Sequence, residues 1–231
     1  MANHLDLEEQ EQLDQLKHFW QQYGNLITWG LIVVLGTVAA WNGYQYWQRS
    51  QSIQASAMFD EVEKVVQSGD LQKTERAFSD MKERFASTTY AQQAGLMVAQ
   101  SAYAAGNTEA AKAALTWVAE KSGDKGFSSI ARLRLSGMLV ESKAYDEALE
   151  LLAGNIGEEF TALAADRRGD IYLAQGKKLE AKSEYQKAFK ALDERVEYRR
   201  LVLVKLNALG GEPEIAVADG NSSSVKMEGS K

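Results

Sequence analysis

Cysteine is absent from the 231 residues. That excludes disulfides, zinc thiolates and thiol nucleophiles. It does not fix the compartment, because free thiols are avoided in oxidising spaces and are merely optional in the cytoplasm. Histidine is nearly absent, with only His4 and His18, both close to the N-terminus. Everything beyond them therefore lacks the parts for a Ser-His-Asp arrangement or a His-ligated metal. No Gly-rich phosphate loop is present, and no cluster of Lys and Arg provides a nucleic-acid footprint. The expectation is a chain without catalytic residues, metal or cofactor that does not bind nucleic acid. Acid pairs such as Asp166 with Asp170, or Glu158 with Glu159, are the remaining chemistry. On helices such pairs are expected to be solvated surface. A buried pair with a raised pKa in a closed pocket would mark the alternative, an anchored enzyme.

Proline is also scarce, with Pro213 alone. A chain rich in Ala, Leu, Glu, Lys and Gln with one late proline is all-α. The net charge of -6 is uneven. Residues 1–18 hold Asp6, Glu8, Glu9, Glu11 and Asp14 against Lys17, which leaves the rest of the chain near neutral.

Charge vanishes altogether from Phe19 to Gln48. Within that window Asn25 to Tyr46 supplies the roughly 20 mostly apolar residues that cross a bilayer. Trp20, Tyr23 and Trp29 flank one end; Trp41, Tyr44, Tyr46 and Trp47 flank the other, as an interfacial aromatic belt does. A buried core helix seldom combines so long a charge-free run with tryptophan at both ends. A cleaved signal peptide would begin with a basic region, not an acidic one. The segment is an uncleaved anchor at 25–47 that contacts the lipid bilayer. Lys17 before it and Arg49 after it tie under the positive-inside rule, so charge leaves the orientation open. Leu13, Leu16, Trp20 and Tyr23 form a stripe at helical spacing. It is either a helix lying on the membrane surface or the start of the spanning helix.

Gly36, Ala39, Ala40 and Gly43 fall at offsets 0, 3, 4 and 7 along the span. They form a small-residue face of the kind that lets membrane helices approach closely. The two readings are a docking face and the ordinary Gly and Ala content of a single span.

Beyond the anchor the chain repeats itself. The clearest unit places Ala165, Gly169, Tyr172, Gly176, Ala181, Tyr185 and Ala188 at the offsets of a tetratricopeptide repeat. Gly169 and Ala181 are small where the two helices of a hairpin cross, Tyr172 and Tyr185 fill the space beside them, and Gly176 ends the first helix. A weaker unit holds Ser136, Leu139, Tyr145, Ala148 and Leu152, and a third holds Ala99, Ala102, Gly106, Ala111 and Leu115, with extra residues assigned to a loop at Ser122 to Ser129. A degenerate hairpin spans about Ala57 to Phe85, turning at Ser68-Gly69-Asp70. A generic helical bundle is the alternative to the repeat. A final helix, Glu197 to Leu209, carries Leu201, Leu203, Val204 and Leu206 and is expected to close the array with a polar outer face. The organisation is an acidic segment 1–24, the span 25–47, a tetratricopeptide-like solenoid 48–209 and a disordered tail 210–231. Such a solenoid binds peptides or proteins on its concave face, although the fold does not name them.

The whole layout resembles the YfgM-type ancillary subunits of the SecYEG translocon. The likeness lies in Leu16-Lys17-His18-Phe19-Trp20-Gln21-Gln22-Tyr23-Gly24-Asn25, in Trp41-Asn42-Gly43-Tyr44-Gln45-Tyr46-Trp47 closing the span, and in Ala164-Ala165-Asp166-Arg167-Arg168-Gly169-Asp170 with Gly176-Lys177-Lys178-Leu179-Glu180-Ala181 in the repeats. It covers about residues 10 to 209. The resemblance implies a bacterial inner-membrane protein with its N-terminus cytoplasmic and its repeat domain periplasmic. It implies association with SecYEG and with the membrane-anchored periplasmic chaperone PpiD, and help in handing unfolded exported proteins to chaperones. It implies no cofactor and no catalytic residues. The runner-up is an anchored scaffold for another envelope assembly, such as cytochrome maturation or outer-membrane biogenesis.

Overall fold

The computed structural model describes residues 7–210, and every regular element in them is helical. The tail expected beyond Gly210 lies outside the described residues, as does the extreme N-terminus. Residues 1–57 and 58–231 form two compact units.

In the first unit the chain is part of one helix, α1 (Leu7–Gln67). The stripe of Leu13, Leu16, Trp20 and Tyr23 is therefore the start of the spanning helix, continuous with it and not a separate surface helix. Continuity follows from composition: no proline and no capping glycine interrupts the run. The stretch Gln15–Gln67 contains a window long and apolar enough to cross a membrane, and 6% of that window is buried. Its side chains face outward, as lipid contact requires and as a core helix would not allow. Thr28 Oγ1 donates to Gly24 O at 2.7 Å and Thr37 Oγ1 to Val33 O at 2.8 Å, so both hydroxyls are satisfied within the helix.

The second unit begins with the end of α1. It continues through α2 (Leu71–Phe85), α3 (Thr89–Ala104), α4 (Thr108–Lys121), α5 (Lys125–Glu141), α6 (Tyr145–Ala153), α7 (Thr161–Ala174), α8 (Lys178–Ala191) and α9 (Tyr198–Ala208). A short 3₁₀ turn, Glu158–Phe160, precedes α7. The helices pair as hairpins, α3 with α4, α5 with α6 and α7 with α8, and successive hairpins stack.

One backbone feature sets the register. Each first helix ends on a left-handed residue, Gly69, Gly106, Lys143, Gly176 and Gly210, with φ between 61° and 80°. These residues are 37, 37, 33 and 34 positions apart. The two N–H groups that follow the helix turn back onto its last carbonyls: Gly176 onto Leu173 and Lys177 onto Tyr172, as Gly106 onto Tyr103 and Asn107 onto Ala102. At Lys143 the same turn is made by a residue with a Cβ, which is why this repeat is faint in the sequence. Five positions after each turn come Thr74, Ala111, Ala148 and Ala181; nine positions after come Phe78, Leu115, Leu152 and Tyr185. All eight are buried. These small and large residues interlock the hairpins.

The added length of the third unit is not a loop at Ser122 to Ser129. Asp124 accepts from the backbone of Gly126 and Phe127, and this cap starts α5 at Lys125, so Ser128 and Ser129 are helical. The second helices end differently from the first. Their last carbonyls accept from arginines of neighbouring first helices. Arg132 donates to Ala119 O and Leu151 O, Arg168 to Leu152 O, and Arg199 to Phe189 O, at 3.2 to 3.4 Å.

Candidate partner-binding surfaces

Three places have the geometry to be functional: the span, the face formed by the first helices, and a charged cluster under α9.

On the span, Gly36, Ala39, Ala40 and Gly43 all lie exposed on α1. A side chain added at Gly36 or Gly43 would meet nothing within 4 Å. Aromatic residues gather at both ends, with Phe19 against Tyr23 at 5.1 Å between ring centres and Tyr44 near Trp47 at 6.1 Å.

In the repeat unit, α3, α5 and α7 together form a groove of about 430 Å³. Its floor includes Ala99, Leu115 and Met138; Gln100, Tyr103, Arg134, Glu141 and Arg167 rise from its walls. Tyr103 Oη donates to both Glu141 carboxylate oxygens, at 2.8 and 2.9 Å, and this bond holds the phenol above its ordinary pKa. The groove contains one carboxylate and two guanidinium groups. It is open to solvent and has no histidine, cysteine or activated hydroxyl.

The third place corrects an expectation. Asp166 and Asp170 are not solvated surface. Asp166 is 2% exposed, and Asp170 is half-buried one turn away. Lys205 of α9 bridges the pair, with Nζ 2.8 to 3.0 Å from all four carboxylate oxygens. Tyr198 Oη donates to Asp166 at 2.6 Å, and Tyr185 Oη donates to Asp170 at 2.8 Å. Burial, reinforced by these bonds and the neighbouring carboxylates, pushes both phenols well above their ordinary pKa. One ammonium and two phenol hydroxyls engage the carboxylate oxygens, so the cluster fastens α7 to α9. Glu158 and Glu159, by contrast, are exposed as expected.

The rest of that stretch is equally architectural. Arg168 pairs with Glu184 at 2.8 Å. Burial alone would raise the Glu184 carboxyl, but hydrogen bonds from Lys187 and Arg168 outweigh it and hold the group below its usual range. A Cβ on Gly169 would lie 2.5 Å from Tyr185 Cε1, so only glycine lets α8 pack there. Sequence reasoning placed Gly169 and Tyr185 correctly. It missed the carbonyl-capping arginines and Lys205. The arginines recurring on α5, α7 and α9 (Arg132, Arg168, Arg199) were the available signal for the first; nothing local pointed to the second. Among the described residues no group of three His, Cys, Asp or Glu side chains could hold a metal ion.

The family model described as a tetratricopeptide repeat-like domain matches residues 17–211, taking in both the span and the repeats. A protein of Neisseria gonorrhoeae named ancillary SecYEG translocon subunit is 30% identical over 210 residues, 90% of this chain and 100% of that protein. This chain belongs to the ancillary SecYEG translocon subunit family. Members of the same name from Haemophilus influenzae and Escherichia coli are 33% and 27% identical, each over 79% of this chain and over 89% and 88% of their own lengths. No solved structure matches.

Proposed function

We propose that this chain is an inner-membrane accessory subunit of the Sec translocon that acts by binding proteins. The observation that carries the reading is the match to ancillary SecYEG translocon subunits across 79 to 90% of the chain. A single spanning helix joined to tetratricopeptide-like repeats suits such a role: the anchor keeps a binding domain at the membrane, where effective concentration substitutes for high affinity. In the finer reading the N-terminus is cytoplasmic and the repeats are periplasmic. There the repeats engage the anchored chaperone PpiD, and unfolded exported proteins pass from channel to chaperone. In this reading the chain is organised as an acidic segment 1–24, the span 25–47, the repeat domain 48–209 and a tail 210–231. The face of Gly36, Ala39, Ala40 and Gly43 would dock against a translocon helix, since its small residues allow close backbone approach.

Copurification in mild detergent tests the role. SecYEG subunits and PpiD are expected with the intact chain, and a variant with Gly36, Ala40 and Gly43 changed to Leu is expected to lose SecYEG while its repeats stay folded. Recovery of a different envelope complex, without SecYEG, overturns the reading in favour of the scaffold. Orientation is tested directly because the chain has no cysteine. A single cysteine at exposed Ser142 should react with an impermeant thiol reagent added from the periplasmic side; protection until the membrane is lysed reverses the topology.

A further inference from the structure

The left-handed turn residues align the first helices with one another. Six positions before the turns stand Gln100, Gly137, Asp170 and Val204; nine before stand Met97, Arg134, Arg167 and Leu201. On α3, α5 and α7 these positions supply Gln100, Gly137, Arg134 and Arg167 to the groove. On α9 they supply Leu201 and Val204, 48% and 64% exposed. Ala208, in the place Glu141 holds on α5, is exposed as well, and Leu173 of α7 is 41% exposed. One continuous register thus changes chemistry along its length: guanidinium groups on α5 and α7, with Asp170 of α7 held by Lys205, give way to aliphatic side chains on α9. The exposed side of α9 is mixed, Arg200 and Asn207 standing with Leu201, Val204 and Ala208, and so is less polar than the cap expected from the sequence.

Within the groove itself positive charge is in surplus, Arg134 and Arg167 against Glu141 alone, while Asp170 on the same register is held by Lys205. Among the described residues neither Arg134 nor Arg167 forms an ion pair; Arg134 donates to Leu96 O at 3.4 Å, and Glu141, still anionic, accepts from Tyr103 instead. Exposed aliphatic residues in register with guanidinium groups that form no ion pair fit a partner that is acidic and aliphatic together. We propose that this face binds a polypeptide segment that presents a carboxylate to Arg134 and Arg167 and aliphatic side chains to Leu201, Val204 and Ala208. Neighbouring first helices lie about 10 Å apart. The reach from α5 to α9 is then about 20 Å, which about six extended or about thirteen helical residues span. The inference draws on the binding role proposed above for who the partner is, and on the surface alone for its chemistry.

The test uses the full chain in mild detergent and two labelled peptides of about fourteen residues. One is built from leucine, alanine and glutamate with an apolar helical face; the other has lysine for each glutamate. Fluorescence anisotropy is expected to show a roughly tenfold preference for the glutamate peptide. The double change Arg134→Glu with Arg167→Glu should reverse that preference. Leu201→Ser with Val204→Ser should weaken both peptides about tenfold. All four residues are at least partly exposed, so circular dichroism should be unchanged. Equal binding of the two peptides, or indifference to the charge reversal, overturns the proposal. So does a change of oligomeric state on Leu201→Ser with Val204→Ser without loss of peptide binding, because a second copy then covers the face. Copurified SecYEG is scored in the same preparation, so failure of the peptide result with SecYEG present sinks this inference and spares the translocon reading.

Discussion

Helices α7 and α9 occupy the same place in successive repeats and have been given opposite tasks. Both end at a left-handed glycine, Gly176 and Gly210. Seven positions earlier α7 has Gly169 and α9 has Leu203. On α7 the second helix presses so close that Tyr185 occupies the space of a Cβ. On α9 no second helix follows within the described residues, and Leu203 packs half-buried against the cluster around Tyr185, Val202 and Leu206. Six and nine positions before the turn, α7 carries Asp170 and Arg167 where α9 carries Val204 and Leu201. A repeat position therefore dictates where a side chain points, and the neighbour it meets dictates which side chain is tolerated. As the last helix among the described residues, α9 places Val202 and Leu206 in the core and Lys205 on the acids of α7, and it leaves Leu201 and Val204 exposed on its other side.

The largest effect should come from removing the fastening. Lys205→Met leaves two carboxylates, one of them buried, without their cation, and should cost about 3 to 5 kcal/mol in urea unfolding. Amide exchange should quicken in α9 and α8 and stay unchanged in α3 and α4; uniform quickening would mean that α9 is not a separable cap. The same fastening can be opened by pH. Tyr185 and Tyr198 titrate above the ordinary 10.0 in the folded state. Their contribution is fully present below that value and is lost as pH rises above it. Thermal melts at rising alkaline pH should show a loss of stability that Tyr198→Phe diminishes.

Gly169→Ala comes next. It forces a methyl into the Tyr185 ring and should cost about 1 to 3 kcal/mol by denaturant unfolding. The matching trim on the other helix, Leu203→Ala, should cost only about 1 kcal/mol, because that side chain is half-buried. A larger loss at Leu203 would mean that α9 is packed as tightly as α7. The smallest change sharpens the register on which the comparison depends. Lys143 holds a left-handed conformation that suits glycine, so Lys143→Gly should stabilise by about 0.5 kcal/mol, while Gly176→Ala should destabilise by about 1 kcal/mol. Melting temperatures of the two variants check both signs.

The hairpins were legible wherever a turn glycine and a small crossing residue coincided, as at Gly176 with Gly169 and Gly106 with Ala99. They faded at Lys143, because a lysine in a glycine conformation leaves no trace in composition. The boundary of α5 was misjudged because serines suggested a loop, whereas the cap at Asp124 had already begun a helix. The acid pair was misjudged for a different reason. One turn separates Asp166 from Asp170, so they share a helix face on any reading, but the lysine that bridges them lies 39 positions beyond Asp166. Local spacing identifies which groups share a face and cannot say what is laid upon it.

The sequence by itself determined the properties that are local or additive: an all-α chain, a charge-free span bracketed by aromatics, the repeat period, and the lack of thiol or imidazole chemistry in the repeats. These follow from composition and from the 3.6-residue period, which need no knowledge of neighbours. Only the tertiary structure decided which polar residues are buried and which apolar ones are bare. Asp166 is enclosed because α9 folds back over it with a lysine and a tyrosine. Leu201 and Val204 stay open because, within the described residues, no further helix follows to cover them. Burial is a relation between distant segments, and it exists only once they have packed.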